Sequence, residues 1–150
     1  MRFGRVQSEI EIRRVPRQVF DYITTPALWH TWHPATVEVQ GVPERPLTTG
    51  ETALEIISVL GRRDRATWTV TRCVTPELWE IRTETANGVA RIEYRIAAVP
   101  NGSSFHRTLE FRSRRMPWRL LDSTFTRWVL RRQSARALRN LKRVLERSGG

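Results

Sequence analysis

The sequence predicts an α+β fold in which a curved antiparallel sheet wraps around a long C-terminal helix, with two short helices after the first strand. The N-terminal segment alternates in polarity, strand-like segments run from about Glu51 to Arg112, and the last part of the chain repeats apolar residues at helical spacing. Short turns join the strand-like segments, so neighbouring strands should pair antiparallel. A twisted sheet packs a helix across its concave side, and we expect an enclosed apolar space between the two.

The first 34 residues predict one half-buried strand and two short helices. The strand residues at alternate positions are Val6, Ser8, Ile10 and Ile12. Pro16 suits the first turn of a helix, because its missing N–H needs no partner there. The inward stripe of that helix is Val19, Phe20 and Ile23. Thr25-Pro26 interrupts it, a second helical turn carries Leu28, Trp29 and Trp32, and His33-Pro34 ends that turn.

The predicted strands lie between turn signals rich in Gly, Pro and Asn. They cover residues 37–42, 51–60, 65–74, 78–85, 89–99 and 104–112. Asn87-Gly88 is the strongest hairpin signal, because this pair accepts positive φ. Alternation predicts one concave apolar face. Its members are Ala66, Trp68, Val70, Val74, Trp79, Ile81, Thr83, Ala90, Ile92, Tyr94, Ile96, Ala98, Phe105, Leu109 and Phe111.

The last segment predicts one long helix that opens at Pro117 and stops at Ser148-Gly149-Gly150. Its apolar stripe is Leu121, Phe125, Trp128, Ala135, Leu138, Leu141 and Leu145. About 30 helical residues would be about 45 Å long, which is more than a small sheet covers. We therefore expect that one end projects or that the helix breaks near Ser123-Thr124.

Length and composition predict a single cytoplasmic domain over residues 1–150. No stretch reaches the roughly 18 apolar residues of a membrane span, and residues 1–14 lack the apolar core of a signal peptide. The single Cys73 has no partner for an internal disulfide. The sequence leaves open whether the chain is a monomer or a homodimer.

The net charge of +11 is concentrated in the C-terminal segment. Residues 112–150 contain eleven Arg and one Lys against only Asp122 and Glu146. Such a stripe suits an anionic membrane surface or nucleic acid. The plain alternative is a solvated helix face, since Arg outnumbers Lys 25 to one through the whole chain. Nucleic acid is the weaker of the two partners, because the basic face carries few aromatic residues for base stacking.

Three stretches resemble the START-like (SRPBCC) superfamily, whose bacterial members include polyketide cyclase/dehydrase-like proteins. The segment from Val15-Pro16 through Phe20 to Trp29 resembles the family's opening, in which the last aromatic residue packs over the mouth of a cavity. Thr75-Pro76-Glu77-Leu78-Trp79 resembles the family's turn before a strand that carries an inward Trp. Asn101-Gly102-Ser103-Ser104-Phe105 resembles the Gly-rich turn before the family's last strand. The resemblance implies the helix-grip fold over essentially the whole chain. Members include lipid carriers, hormone and allergen-type binders, aromatase/cyclases and chaperone-associated modules.

The inward aromatic residues are candidates for the wall of a ligand pocket. The predicted ligand-binding residues are Trp29, Trp32, Trp68, Trp79, Tyr94, Phe105, Arg107, Phe125 and Trp128. For any single aromatic residue, core filling is the alternative.

Arg107 falls in phase with Phe105 and Leu109 on the predicted inner face. A buried guanidinium needs an anion or several acceptors, so it could meet a ligand carboxylate, enolate or phosphate. A structural ion pair with a Glu, or a bulge that turns it outward, are the alternatives. Arg72 poses the same question beside Val70.

The histidines do not predict a metal site. His30 and His33 stand three residues apart, but a metal needs at least a third ligand and no motif supplies one. His106 is out of phase with the inner face. His33 and Tyr94 are candidates for proton transfer beside Arg107. No nucleophile elbow, phosphate loop or dinucleotide motif is present, so we expect no cofactor.

Three functions therefore stay open. The first is binding or transport of a small hydrophobic, aromatic or lipid ligand in an internal cavity. The second is an enzyme similar to polyketide cyclases and aromatases, in which Arg107 stabilises an enolate. The third is binding of an anionic surface by the Arg-rich C-terminal helix.

Overall fold

The computed structural model describes residues 4–59, 61–85, 88–113 and 124–147. The strands are β1 (Gly4–Ile12), β2 (Thr36–Gln40), β3 (Thr52–Val59), β4 (Arg62–Val74), β5 (Leu78–Thr85), β6 (Gly88–Val99) and β7 (Gly102–Ser113). The helices are α1 (Pro16–Ile23), a 3₁₀ helix (Pro26–Thr31) and α2 (Thr124–Arg147). The predicted order of elements is confirmed. The predicted start of the last helix at Pro117 lies outside the described residues.

The seven described strands form one antiparallel sheet in the order β1-β7-β6-β5-β4-β3-β2. Each strand from β2 to β7 pairs with its neighbour in sequence, as the short turns require. β1 pairs with β7, from Gly4 opposite Phe111 to Ile12 opposite Ser103, and forms one edge of the sheet. The sheet curls around α2, so the helix-grip fold is confirmed.

Glycine permits the tight junction between β1 and the turn before β7. Gly102 has a φ of +154°, and a Cβ at this position would collide with the Ile12 carbonyl oxygen. It would also lie 2.9 Å from the Arg13 Cα. Next to it, the Ser103 hydroxyl donates to the Arg14 carbonyl oxygen at 2.6 Å. The backbones of the two segments therefore pack in direct contact.

The two short helices fold against the inner face of the sheet. Val19, Phe20 and Ile23 of α1 are buried, as predicted. The Thr24 hydroxyl donates to the Phe20 carbonyl oxygen at 2.7 Å at the end of α1. Pro26 then opens the 3₁₀ helix, and the Trp29 indole N–H reaches back to the Ile23 carbonyl oxygen at 3.0 Å. This hydrogen bond fixes the angle between the two helices.

Helix α2 packs against β1 and the 3₁₀ helix through a stripe that differs from the predicted one. The buried residues are Ser134, Ala137, Leu138, Leu141 and Leu145. Trp128 was predicted on this stripe, but its exposed fraction is 52%. At about 100° per residue, Trp128 is turned about 80° from Leu138 and about 140° from Leu141. The three- and four-residue steps therefore did not form one continuous face.

Two predicted inner-face residues lie elsewhere. A β-bulge between Val70 and Arg72 shifts the register of β4 against β5. Beyond it Cys73 packs towards the core, and Val74 is 52% exposed. Ala98 is exposed near the end of β6. β4 also begins at Arg62, three residues before the predicted start, because the hairpin pairs Val59 with Arg62. The alternation of polar and apolar residues therefore predicts which residues face inward only up to the first β-bulge, because the extra residue reverses the faces beyond it.

Candidate ligand cavity and its polar wall

A cavity of about 400 Å³ lies between the inner face of the sheet and α2. Strands β3 to β7 supply one wall, and Leu130, Gln133 and Ser134 of α2 supply the other. The 3₁₀ helix and the residues after it contribute Trp29, Trp32 and His33. Residues of the β3–β4 and β5–β6 hairpins, among them Arg62 and Gly88, lie at one end.

The wall of the cavity is mainly apolar and aromatic. Four of the predicted aromatic residues line it: Trp29, Trp32, Trp68 and Tyr94. Further apolar residues of the wall include Ile81, Ile92, Leu109 and Phe111. Side chains with flat faces and few polar atoms suit an aromatic or other hydrophobic ligand.

Other residues predicted to bind ligand do not line this cavity. Trp79 and Phe105 are fully buried and hold the core together, with ring centroids 5.4 Å and 5.2 Å from Tyr94. The Trp79 indole N–H donates to the Leu47 carbonyl oxygen at 2.9 Å. Trp128 lies on the outer face of α2, where the Arg132 guanidinium sits 4.9 Å from its ring centroid. The side chain of Phe125 lies outside the described residues.

Arg107 points into the cavity, as its phase predicted, and is only 4% exposed. Its Nη1 donates to the Ser134 Oγ at 3.1 Å, and its Nη2 lies 3.2 Å from the His33 Nε2. The Tyr94 hydroxyl is a third neighbour, on whose pKa Arg107 acts. These partners are neutral, so the predicted alternative of an ion pair with a Glu does not describe its contacts.

The environment sets the protonation of His33 and Tyr94. Burial, and then the positive charge of Arg107, lower the pKa of His33 to about 3, so the imidazole is neutral at pH 7. Burial raises the pKa of Tyr94 to about 12, although Arg107 opposes this change. Both groups therefore enter the cavity as neutral hydrogen-bonding groups.

Glu55 is a buried carboxyl in the cavity wall that the sequence interpretation missed. Its Oε2 accepts from the Thr36 hydroxyl at 2.5 Å, and its Oε1 accepts from the Trp68 indole N–H at 3.0 Å. Burial raises its pKa, while these two hydrogen bonds and the charge of Arg107 oppose the change. The sequence does carry a signal for Glu55, because it alternates in β3 with Ala53 and Ile57 and therefore lies on the same face of the strand. Ser134 was missed too, although it lies in phase with Leu138 and Leu141.

The other polar candidates lie away from the cavity. Arg72 is exposed beyond the bulge, with its Nη1 3.9 Å from a Glu80 carboxylate oxygen on the outer face. His30 is exposed, so it does not share a face with His33. Within the part of the chain that is described, no three His, Cys, Asp or Glu side chains could together hold a metal ion.

The outer face of α2 is strongly basic. Its exposed arginines are Arg131, Arg132, Arg136, Arg139, Arg143 and Arg147. No described helix is long and apolar enough to cross a bilayer. Binding of this face to an anionic membrane stays a prediction from the sequence.

Comparisons with known proteins agree with this geometry. The family profile described as polyketide cyclase/dehydrase and lipid transport matches residues 4–146. No curated protein is similar enough in sequence to count as a relative.

Solved structures share the fold at low sequence identity. A START superfamily protein from Mycobacterium smegmatis aligns with a TM-score of 0.77 and 9% identity, over 95% of this chain and 97% of that one. Protein MLL2253 from Mesorhizobium loti aligns with a TM-score of 0.68 and 15% identity, over 96% and 98%. The di-domain ARO/CYC BexL of the BE-7585A biosynthetic pathway aligns with a TM-score of 0.72 and 15% identity, over 93% of this chain and 49% of BexL.

Proposed function

Because this chain belongs to the polyketide cyclase/dehydrase and lipid transport family, we propose that it binds a small, mainly apolar ligand between the sheet and α2. The observation that supports this most is the cavity of about 400 Å³ behind an aromatic wall. Ligand pockets usually measure about 300–1,000 Å³ and combine apolar walls with a few polar groups that orient the guest. Arg107, His33, Tyr94 and Glu55 are those polar groups here.

A pair of matched substitutions on β6 tests this proposal. Ala90 lines the cavity, whereas Ala97 is exposed on the opposite face of the same strand. Ala90→Phe should fill part of the cavity and weaken binding of 2-naphthalenemethanol at least about tenfold in isothermal titration calorimetry, because the guest loses its space. Ala97→Phe should bind it like the wild type.

Two outcomes would contradict the proposal. Wild-type protein that binds neither naphthalene compounds nor medium-chain alcohols would do so. Unchanged binding by a folded Ala90→Phe variant would place the ligand elsewhere. Circular dichroism and urea unfolding establish that each variant is folded.

A second candidate is cyclase-type catalysis, and Glu55 is the observation that favours it. Cyclisation of a poly-β-ketone needs a base that removes a proton between two carbonyls and a donor that stabilises the enolate oxygen. The low pKa of His33 makes it a poor base. Glu55 has a raised pKa in the same cavity wall, so it is better suited to this role, with Arg107 as the enolate donor.

Glu55→Gln separates this candidate from simple binding. Gln retains the size of Glu: its oxygen can accept from the Trp68 indole N–H, and its amide N–H can donate to the Thr36 hydroxyl, which takes either role. If the chain is a cyclase, turnover of a poly-β-keto thioester should fall at least about 100-fold, with substrate affinity little changed. Chromatography of the products measures this. If the wild-type protein forms no more cyclised product from the thioester than buffer alone does, cyclase activity is excluded.

A further inference from the structure

The hydrogen bonds around His33 contain a conflict. The backbone N–H of Ala35 donates to Nδ1 at 3.2 Å, and Nη2 of Arg107 faces Nε2 at 3.2 Å. Both neighbours are donors, but a neutral imidazole has only one acceptor nitrogen. The low pKa of His33 leaves the imidazole neutral. Whichever nitrogen carries the proton, one donor therefore faces an N–H instead of a lone pair.

The same end of the cavity holds further donors without acceptors. The Nε of Arg107 and the Nε1 of Trp32 are buried and have no hydrogen-bond partner in the described structure. Both residues line the cavity, and the Trp32 ring centroid is 5.8 Å from that of His33. Buried donors without partners are costly, so such a surplus is expected where a bound group supplies the acceptors.

Arg107 also places a buried positive charge at this end of the cavity, where donors exceed acceptors. Its guanidinium is buried, and its hydrogen-bond partners Ser134 and His33 are uncharged. The charge of Arg107 acts on the Glu55 carboxyl, but the hydrogen bonds that this carboxyl accepts come from Thr36 and Trp68. A buried cation with neutral partners is stabilised by an anion that also accepts its hydrogen bonds.

We propose that Arg107 and His33 form a subsite for the carboxylate of an apolar acid, with its tail in the aromatic part of the cavity. This inference rests on the proposed function and adds the chemical class of the ligand. In the complex, Nδ1 of His33 accepts from Ala35, and its Nε2–H donates to the carboxylate. Arg107 donates to the same group, so the conflict at Nε2 is removed. The mainly apolar wall excludes a highly polar guest.

Matched acids and alcohols test the subsite in the wild-type protein. Calorimetry at pH 7 compares 2-naphthoate with 2-naphthalenemethanol, and decanoate with decanol. Each acid should bind at least about tenfold more tightly than its alcohol, since hydrogen bonds to charged groups are the stronger ones. The two pairs also distinguish an aryl tail from an alkyl tail, through whichever acid binds more tightly.

The outcomes separate this inference from the proposed function. Equal binding of acid and alcohol would overturn the carboxylate subsite and leave apolar ligand binding intact. Binding of neither member of either pair would overturn both.

Arg107→Gln should reduce the preference for the acid to less than about threefold, while binding of the alcohol changes little. Arg136→Gln, on the exposed face of α2, is the control and should keep the wild-type preference. If Arg107→Gln does not fold, nitrogen-15 NMR of the wild-type His33 ring decides instead. In the complex with naphthoate, His33 should be the Nε2–H tautomer, and its Nε2 resonance should shift from the ligand-free position. An unchanged ring spectrum on saturation with naphthoate would contradict a carboxylate at this position.

Discussion

At the scale of single residues, the phase of a side chain in its strand carries most of the functional information. Arg107 was located correctly because β7 alternates without interruption from Phe105 to Phe111. The same reasoning applied to β3 would have found Glu55. The partners of Arg107 were not predictable, because His33 and Ser134 lie 74 and 27 residues away in sequence and only the folded chain brings them together.

His33 should make the folding stability depend on pH. Its pKa is about 3 in the folded protein and 6.5 in the unfolded chain, so the unfolded chain binds the proton first. Stability contributed by neutral His33 is present above pH 6.5 and is lost as the pH falls towards 3. Between pH 7.5 and pH 5 the loss should reach up to about 2 kcal/mol.

Urea unfolding of wild type and His33→Gln at these two pH values measures the effect. The variant should lose less stability on acidification, because Gln does not titrate. His30→Gln removes an exposed imidazole and should behave as wild type. The pKa values of Glu51 and Glu146 lie near 2, so their titration falls below this window. If the free energy of unfolding depends on pH in the same way in wild type and His33→Gln, the buried environment assigned to His33 is wrong.

At the scale of elements, helix α2 shows where pattern reasoning stops. The predicted stripe includes Trp128 because it lies three residues after Phe125 and seven residues, about two helical turns, before Ala135. The structure instead continues the buried face through Ser134, a polar residue that an apolar pattern passes over, and through Ala137 where the predicted stripe has Ala135. Their small size lets the helix approach the sheet closely, and Ser134 provides a hydroxyl at Arg107.

Two truncations on α2 test this orientation. Leu141 is fully buried, so Leu141→Ala should lower the free energy of unfolding by about 2–5 kcal/mol. Trp128→Ala removes a side chain that is 52% exposed, and its cost should stay below about 1 kcal/mol. Urea unfolding at pH 7.5 measures both. A larger loss for Trp128→Ala than for Leu141→Ala would mean that α2 is rotated relative to the structure described.

At the scale of the whole molecule, the arginine excess divides into two parts. On the outer face of the sheet, arginines pair with carboxylates: Arg91 bridges Glu80 at 3.0 Å and Glu110 at 2.7 Å. On α2, the exposed arginines face solvent, and the Arg132 guanidinium lies over the Trp128 ring. Composition alone could not separate these roles, because it does not show which arginines lie opposite acids in the sheet.

The fold was predictable for a physical reason that does not extend to the ligand. Alternation, turn chemistry and the order of elements all restrict the backbone, and they agree along this chain. The chemical class of a guest depends on which polar atoms remain without partners after folding. Trp32 Nε1 and Arg107 Nε become identifiable only once every other hydrogen bond has been assigned.

The most direct test is a crystal structure of the protein with 2-naphthoate. We expect the naphthalene ring against Trp68 and Tyr94, and a carboxylate oxygen within hydrogen-bond distance of both Arg107 and the His33 Nε2. Crystals grown at saturating naphthoate with an empty cavity, or with the compound bound only outside it, would contradict the account.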